Sequence, residues 1–204
     1  KPFQAVYYNS EVVGDIASVI GPPYDVLSPA QQTELYEKHP SNFVRVMLNR
    51  EQPDDSSESN PYTRSASHIE EWLSNGTFVQ DKEPAFYLYQ QVFVNPKDGK
   101  KYTRSGLVCA LKLEPYSAGI VLPHEETRNK AKEDRLKLMR ATNANPEPIY
   151  GLYEDPHQSL AREFALIERM DTPMLEATVD GDTHKLFRID NDDVIEAIET
   201  FFAN

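Results

Sequence analysis

"PAFYLYQQVFVNPKDGKKYTRSGLVCALKL", Pro84 to Leu113, is the stretch whose reading decides the fold. Both halves are rich in aromatic and β-branched residues, which suit a pleated, half-buried backbone. Between them "NPKDGK" carries Asp98-Gly99, a pair that tolerates the positive φ of a tight hairpin. The stretch therefore predicts two antiparallel strands. Downstream, "MLEATVD" and "HKLFRID" flank "GDT" and predict a second hairpin. Shorter strands are expected from "PFQAVYY", "NFVRVML", the "AGIVLP" run and "EPIYGLY".

Helices alternate with these strands. In "SPAQQTELYEKHP", Ser28 is the N-cap, Pro29 the first helical residue and Gln31 the capping-box partner, and Pro40 ends the run. "YTRSASHIEEWLSNG" places Ala66, Ile69, Trp72 and Leu73 on one face, with Gly76 as its stop. Residues 128–142 are helical in pattern. "DPHQSLAREFALIERM" has Asp155 as cap and Pro156 in its first turn, and "NDDVIEAIETFFAN" is a last amphipathic helix. The polar "NREQPDDSSESNP" reads as a mobile loop. With no repeat or linker in view, residues 1–204 read as one α+β domain with a mixed, largely antiparallel sheet and flanking helices.

Composition narrows the function. A formal charge of -12 disfavours a nucleic-acid or anionic-membrane partner, since either requires a basic surface. No apolar run approaches the ~20 residues of a membrane span. The opening "KPFQAVYYNS" lacks the basic-then-apolar order of a signal peptide. Cys109 is the only cysteine and lies in an apolar run, so it reads as a core thiol, and a reducing, cytoplasmic compartment fits.

Against that acidic background, "VLPHEETRNKAKEDRLKLMRATNANPEPIYGLYED", Val121 to Asp155, gathers positive charge behind a His-Glu pair. At ~100° per residue, Arg128, Lys132 and Arg135 share one helical face, flanked by Ala131, Leu136, Leu138 and Met139. Cations in an apolar arc must be paired, must snorkel past the core edge, or must face a ligand. In the last case the helix N-terminus and the basic stripe would hold phosphate. Glu125 stands just ahead of that helix, where it can act as a general base, with His124 to orient it or to contact phosphate. The bland alternative is a surface pair at a helix start. "HEETR" is not a zinc-binding H-E-x-x-H, so no metal site is read here.

Asp25, on the stiff Pro22-Pro23 loop, and Arg45, in "HPSNFVRV", are further candidates for substrate binding. Asp25 is otherwise a turn residue, and Arg45 is expected to pair with an acid. His39, His68, His157 and His184 read as incidental, and no phosphate-loop, dinucleotide or nucleophile-elbow motif occurs.

"PPYDVLS", "HPSNFVRV", "PAFYLYQQ", "GLVCALKLE", "VLPHEET", "KEDRLKL" and "ATNANPEPIYGLYED" follow one another as in the bacterial and archaeal DUF1015 family, a domain of unknown function that the chain resembles over nearly its whole length. Members look longer, so the resemblance implies the N-terminal part of a longer protein. They continue into an Asp-Gly-His-His-Arg motif, which with an upstream Pro-His-Glu is similar to free-serine kinases of the ParB/sulfiredoxin superfamily. That likeness implies Glu125 as base toward a substrate hydroxyl and His124 beside it. No Gly-His-His-Arg occurs in these 204 residues, so this chain alone is expected to be inactive.

Two functions follow as expectations. One is part of a small-molecule phosphotransferase acting on serine, phosphoserine or a similar hydroxy compound, using Mg²⁺ and an adenine nucleotide. The alternative is a non-catalytic nucleotide- or ligand-binding regulatory domain of the ParB-like type. A segment missing from beside Glu125 would leave apolar surface exposed, which a homodimer would hide.

Overall fold

Two hairpins laid side by side organise the computed structural model, which describes residues 1–124, 126, 128–170 and 172–203. From the N-terminus, β1 (Val6–Tyr8) leads into two single-turn helices, α1 (Ser10–Val13) and α2 (Ile16–Val19). Next come α3 (Pro29–Lys38), α4 (Val44–Met47) and α5 (Pro61–Ser74), and β2 (Phe78–Gln80) returns to pair antiparallel with β1. Strands β3 (Phe86–Val94) and β4 (Lys101–Val108) form the long hairpin, followed by α6 (Asn129–Thr142) and α7 (Ser159–Met170). The second hairpin, β5 (Leu175–Val179) and β6 (Asp182–Ile189), precedes α8 (Asp192–Ala203). The larger sheet runs β4-β3-β6-β5 and is antiparallel throughout. The chain is thus α+β, as the alternation of hairpins and capped helices predicts.

Register divides the sheet into two faces. Leu88 pairs with Phe187 and Phe86 with Ile189, so these four side chains fall together. They pack against Leu160, Phe164 and Ile167 of α7 and Ile198 of α8. A second core holds Tyr8, Val19, Val46, Trp72 and Phe78, and Ala177 of β5 joins it to the large sheet. Asp81 fastens the two sheets. It accepts hydrogen bonds from the hydroxyls of Tyr7 and Tyr87 and from Nε of Arg188.

Several local expectations hold in detail. Ser28 and Gln31 form the reciprocal capping box, and Gly99 and Gly181 take positive φ in the two hairpin turns. The loop 49–61 reads from sequence as mobile, but Arg64 ties it by pairing with Asp55 and donating to the Arg50 carbonyl. Cys109 is half-buried against the α7/α8 core, and burial pushes its thiol pKa up.

Three expected strands are absent among the described residues. "NFVRVML" is the helical turn α4. Buried Asn42 sets it: its Oδ1 accepts the Val44 N–H at 3.0 Å, and its Nδ2 donates to the Ser18 carbonyl at 2.9 Å. A short, wholly buried turn is as continuously apolar as a strand, so periodicity misleads there. "AGIVLP" begins inside a 3-10 turn, Tyr116–Ala118, closed by Gly119 at φ 70°, and Ile120 and Leu122 are exposed. "EPIYGLY" is irregular, with Ile149 97% exposed. Pro146 and Pro148 lack ladder donors. Asp155 does cap α7 through the N–H groups of Ser159, Leu160 and Ala161, although the helix begins later than Pro156.

Leu88 is fully buried where the long hairpin meets α7. Leu88→Ala should lower the unfolding free energy by about 2–5 kcal/mol, through lost burial and the cavity left behind. The expected signature is a fall in the urea midpoint with an unchanged slope.

Candidate functional site at the basic helix

Helix α6 follows Arg128, whose backbone is extended (φ -60°, ψ 134°) and whose side chain has no acceptor to offer the first-turn amides. Arg128 and Lys132 are exposed, and among the described residues neither meets a carboxylate. Arg135, one further turn along, is different. Its side chain is only 21% exposed. Its Nη1 donates to Glu147 at 2.7 Å and to the Met47 carbonyl at 2.9 Å, and its Nε donates to Asp134 at 2.9 Å. The guanidinium carbon lies 3.7 Å from the centre of the Tyr24 ring. Tyr62 closes the network by donating to Asp134 at 2.7 Å.

The three cations of the stripe therefore divide. Arg135 is paired and holds structure together. Arg128 lies seven residues back, roughly 10 Å along the axis at ~1.5 Å per residue, and remains open to solvent with Lys132. Among the described residues, the segment between β4 and Pro123 contains no strand, so "AGIVLP" does not lead into α6 as a strand. His124 is exposed. Glu125, the expected base, lies outside the described residues.

Asp25 and Arg45 separate as well. Asp25 is exposed in the 3-10 turn Tyr24–Val26, next to the tyrosine that stacks on Arg135. Arg45 was expected to pair with an acid. Instead its Nη2 donates to the Tyr36 carbonyl at 2.7 Å, and its guanidinium lies 4.3 Å from the Tyr36 ring centre. The Arg45 Nε is buried and, among the described residues, has no acceptor.

Electrostatics follow this geometry. Burial raises the Asp134 carboxyl, but the Tyr62 and Arg135 hydrogen bonds and nearby positive charge outweigh it and leave the pKa below its ordinary 3.8. Tyr62 is pushed up to about 12 by burial and by its bond to Asp134. Among the described residues no group of three or more His, Cys, Asp or Glu is placed to hold a metal ion. Asp134 on α6 and Glu147 beyond it are both engaged by Arg135.

Sequence reasoning missed Tyr24, Tyr62 and Glu147. Tyr24 had a signal in the rigid Pro-Pro-Tyr-Asp loop, which presents its ring in one direction. Glu147 had one in its place after a basic helix, between two prolines. Tyr62 looked like an ordinary first-turn residue.

A lowered folded-state pKa adds stability above the unfolded value, and that stability is lost as pH falls through the folded value. Asp134 should thus contribute fully above about pH 4 and progressively less below it. Asp134→Asn should flatten that part of the acid-unfolding curve. Arg135→Ala should cost about 2–3 kcal/mol at neutral pH, because it strands two partly buried carboxylates. Urea titrations at several pH values check both.

A family profile described as protein of unknown function (DUF1015) matches residues 1–204. No curated protein and no solved structure matches the chain. Among the described residues no helix is long and apolar enough to cross a membrane.

Proposed function

The chain belongs to the DUF1015 family, and from that premise we propose that it is the phosphate-handling part of a small-molecule phosphotransferase acting on serine, phosphoserine or a similar hydroxy compound. The observation that carries this reading is the start of α6. There Arg128 and Lys132 meet no carboxylate among the described residues, in a chain of net charge -12, beside first-turn amides that the Arg128 side chain cannot cap. Unpaired cations beside a helix N-terminus suit a phosphate group. His124 and Glu125 immediately precede this segment. In the proposed reaction, Glu125 takes the proton of the substrate hydroxyl. The hydroxyl oxygen bonds to the terminal phosphorus of an adenine nucleotide, and the bridging P–O bond breaks to release the shortened nucleotide. Arg135 supports the reading indirectly, by anchoring α6 so that its N-terminus keeps one direction.

Titration calorimetry of the 204-residue chain with phosphoserine and ADP tests the phosphate half. Arg128→Gln with Lys132→Gln should weaken binding about tenfold or more. Unchanged affinity would sink the site. Phosphorus NMR with serine and ATP, on a longer chain carrying the Asp-Gly-His-His-Arg motif, tests the chemistry. Any turnover should vanish in Glu125→Gln while phosphoserine affinity persists. Nucleotide binding without turnover, by a member carrying the Asp-Gly-His-His-Arg motif, would favour the regulatory alternative.

The segments flanking α6 expose Leu113, Ile149 and Leu152 by 93, 97 and 88%. Apolar side chains this open favour a covering partner. An acidic chain repels its own charged surface, so a second copy would pair through this fringe. Sedimentation should then show a dimer that Leu113→Glu with Ile149→Glu disperses. A monomer at every concentration would remove the homodimer.

A further inference from the structure

Away from α6, three arginines crowd one tyrosine. Arg45 and Arg50 place their guanidinium carbons 4.3 and 4.1 Å from the centre of the Tyr36 ring. Arg64 is beside them, donating to the Arg50 carbonyl at 2.6 Å. Among the described residues, Asp55 pairs with Arg64, at 2.6 Å, and with neither of the other two arginines. Among the described residues, Arg45 and Arg50 meet no carboxylate, although the chain has 33 acidic residues against 21 basic ones. Arg45 Nε is buried without an acceptor, and so is Arg64 Nε. The Arg50 side chain stacks on Tyr36 and makes no hydrogen bond among the described residues. Two half-buried like charges on one ring, closer together than salt can screen well, leave the folded protein with an unmet demand for negative charge.

That demand opens onto a cavity. Arg50 lines a groove of about 480 Å³ together with Ser28, Gln32, Thr33, Asn49 and Glu51. This is the size of a small-ligand site. Its position is fixed by the tyrosine itself: the Tyr36 hydroxyl donates to Asn49 Oδ1 at 3.1 Å and accepts the Arg50 N–H at 3.0 Å. Gln32 donates to the Leu48 carbonyl at 2.8 Å, so both walls are held. Glu51 lines the same groove and, among the described residues, forms no ion pair, so its carboxylate can accept from a ligand's hydroxyl or ammonium.

We propose that this groove binds a small phosphate monoester, with the dianionic phosphate on Arg50, Arg45 adding positive charge through the shared Tyr36 ring, and a hydroxyl or amine of the ligand toward Glu51. The proposal does not rest on the α6 site, and the two have separate amide reporters. Probes are inorganic phosphate, glycerol 3-phosphate and phosphoethanolamine, titrated at constant ionic strength against chloride and followed by amide NMR and thermal unfolding. All three should saturably shift the amides of Thr33, Asn49 and Arg50. The two esters should bind more tightly than phosphate, and Glu51→Gln should erase that advantage.

Arg50→Gln should weaken binding about tenfold or more, abolish the phosphate-dependent rise in Tm, and leave any shifts at the α6 amides intact. Without phosphate this variant should unfold no lower than the parent, because one of two repelling charges is gone, and Arg50→Lys should keep most of the affinity. Loss of stability in Arg50→Gln with unchanged phosphate response would overturn the proposal and make Arg50 a packing residue. Shifts confined to α6, or none that saturate, would overturn it as well, the former leaving the α6 reading in place.

Discussion

The placement of the candidate site depends on one guanidinium. Arg135 joins the Tyr24 loop, the Met47 carbonyl at the end of α4, Asp134 on its own helix and Glu147 beyond it. Taking that charge out of water is costly, and the carboxylates offset the cost only while their geometry is kept. A flat guanidinium can satisfy a ring face and several in-plane acceptors together, which a lysine ammonium cannot. The network thus selects one arrangement of its four segments more than it deepens stability. Remove one acid and the arginine keeps a single carboxylate to offset its burial. Remove the arginine and two acids face each other.

This constraint separates the chain's basic residues into two kinds. Arg135, Arg64 and Arg188 are held by carboxylates, and Arg135 and Arg188 join elements distant in sequence. Arg128 and Lys132 at the start of α6, and Arg45 and Arg50 around Tyr36, have no such partner among the described residues. In a protein with acid to spare, an unpaired cation is the more informative kind. The Met47 carbonyl receives Arg135 next to Leu48 and Asn49 of the groove, so the paired arginine fixes a backbone on which the unpaired ones are displayed.

Much of the fold was legible because its signals were local. The Asp98-Gly99 turn, the Ser28–Gln31 box and the alternation through Phe86 and Leu88 each depend on neighbours within a few residues. The site was less legible because it depends on partners far along the chain. The wheel correctly grouped Arg135 with the apolar face, and cost alone required that it be paired or face a ligand. It could not show that Glu147 and Tyr24 would meet it. Arg50 was hidden for another reason: it sits in a polar loop that reads as mobile, and only Arg64, reaching back from α5, gives that loop a fixed place.

The misread strands share a physical lesson with the site. An apolar run signals burial, and the usual inference supplies the cover from the chain itself. For "NFVRVML" that cover exists and only the backbone conformation was mistaken, because Asn42 diverts the segment into a turn. For the runs around Ile120 and Ile149 the side chains stay exposed. These two runs bracket α6, the helix whose N-terminus carries Arg128 and Lys132, unpaired among the described residues. Apolar surface next to uncompensated charge fits a ligand or partner that is partly apolar and partly anionic better than it fits a surface selected only for solubility.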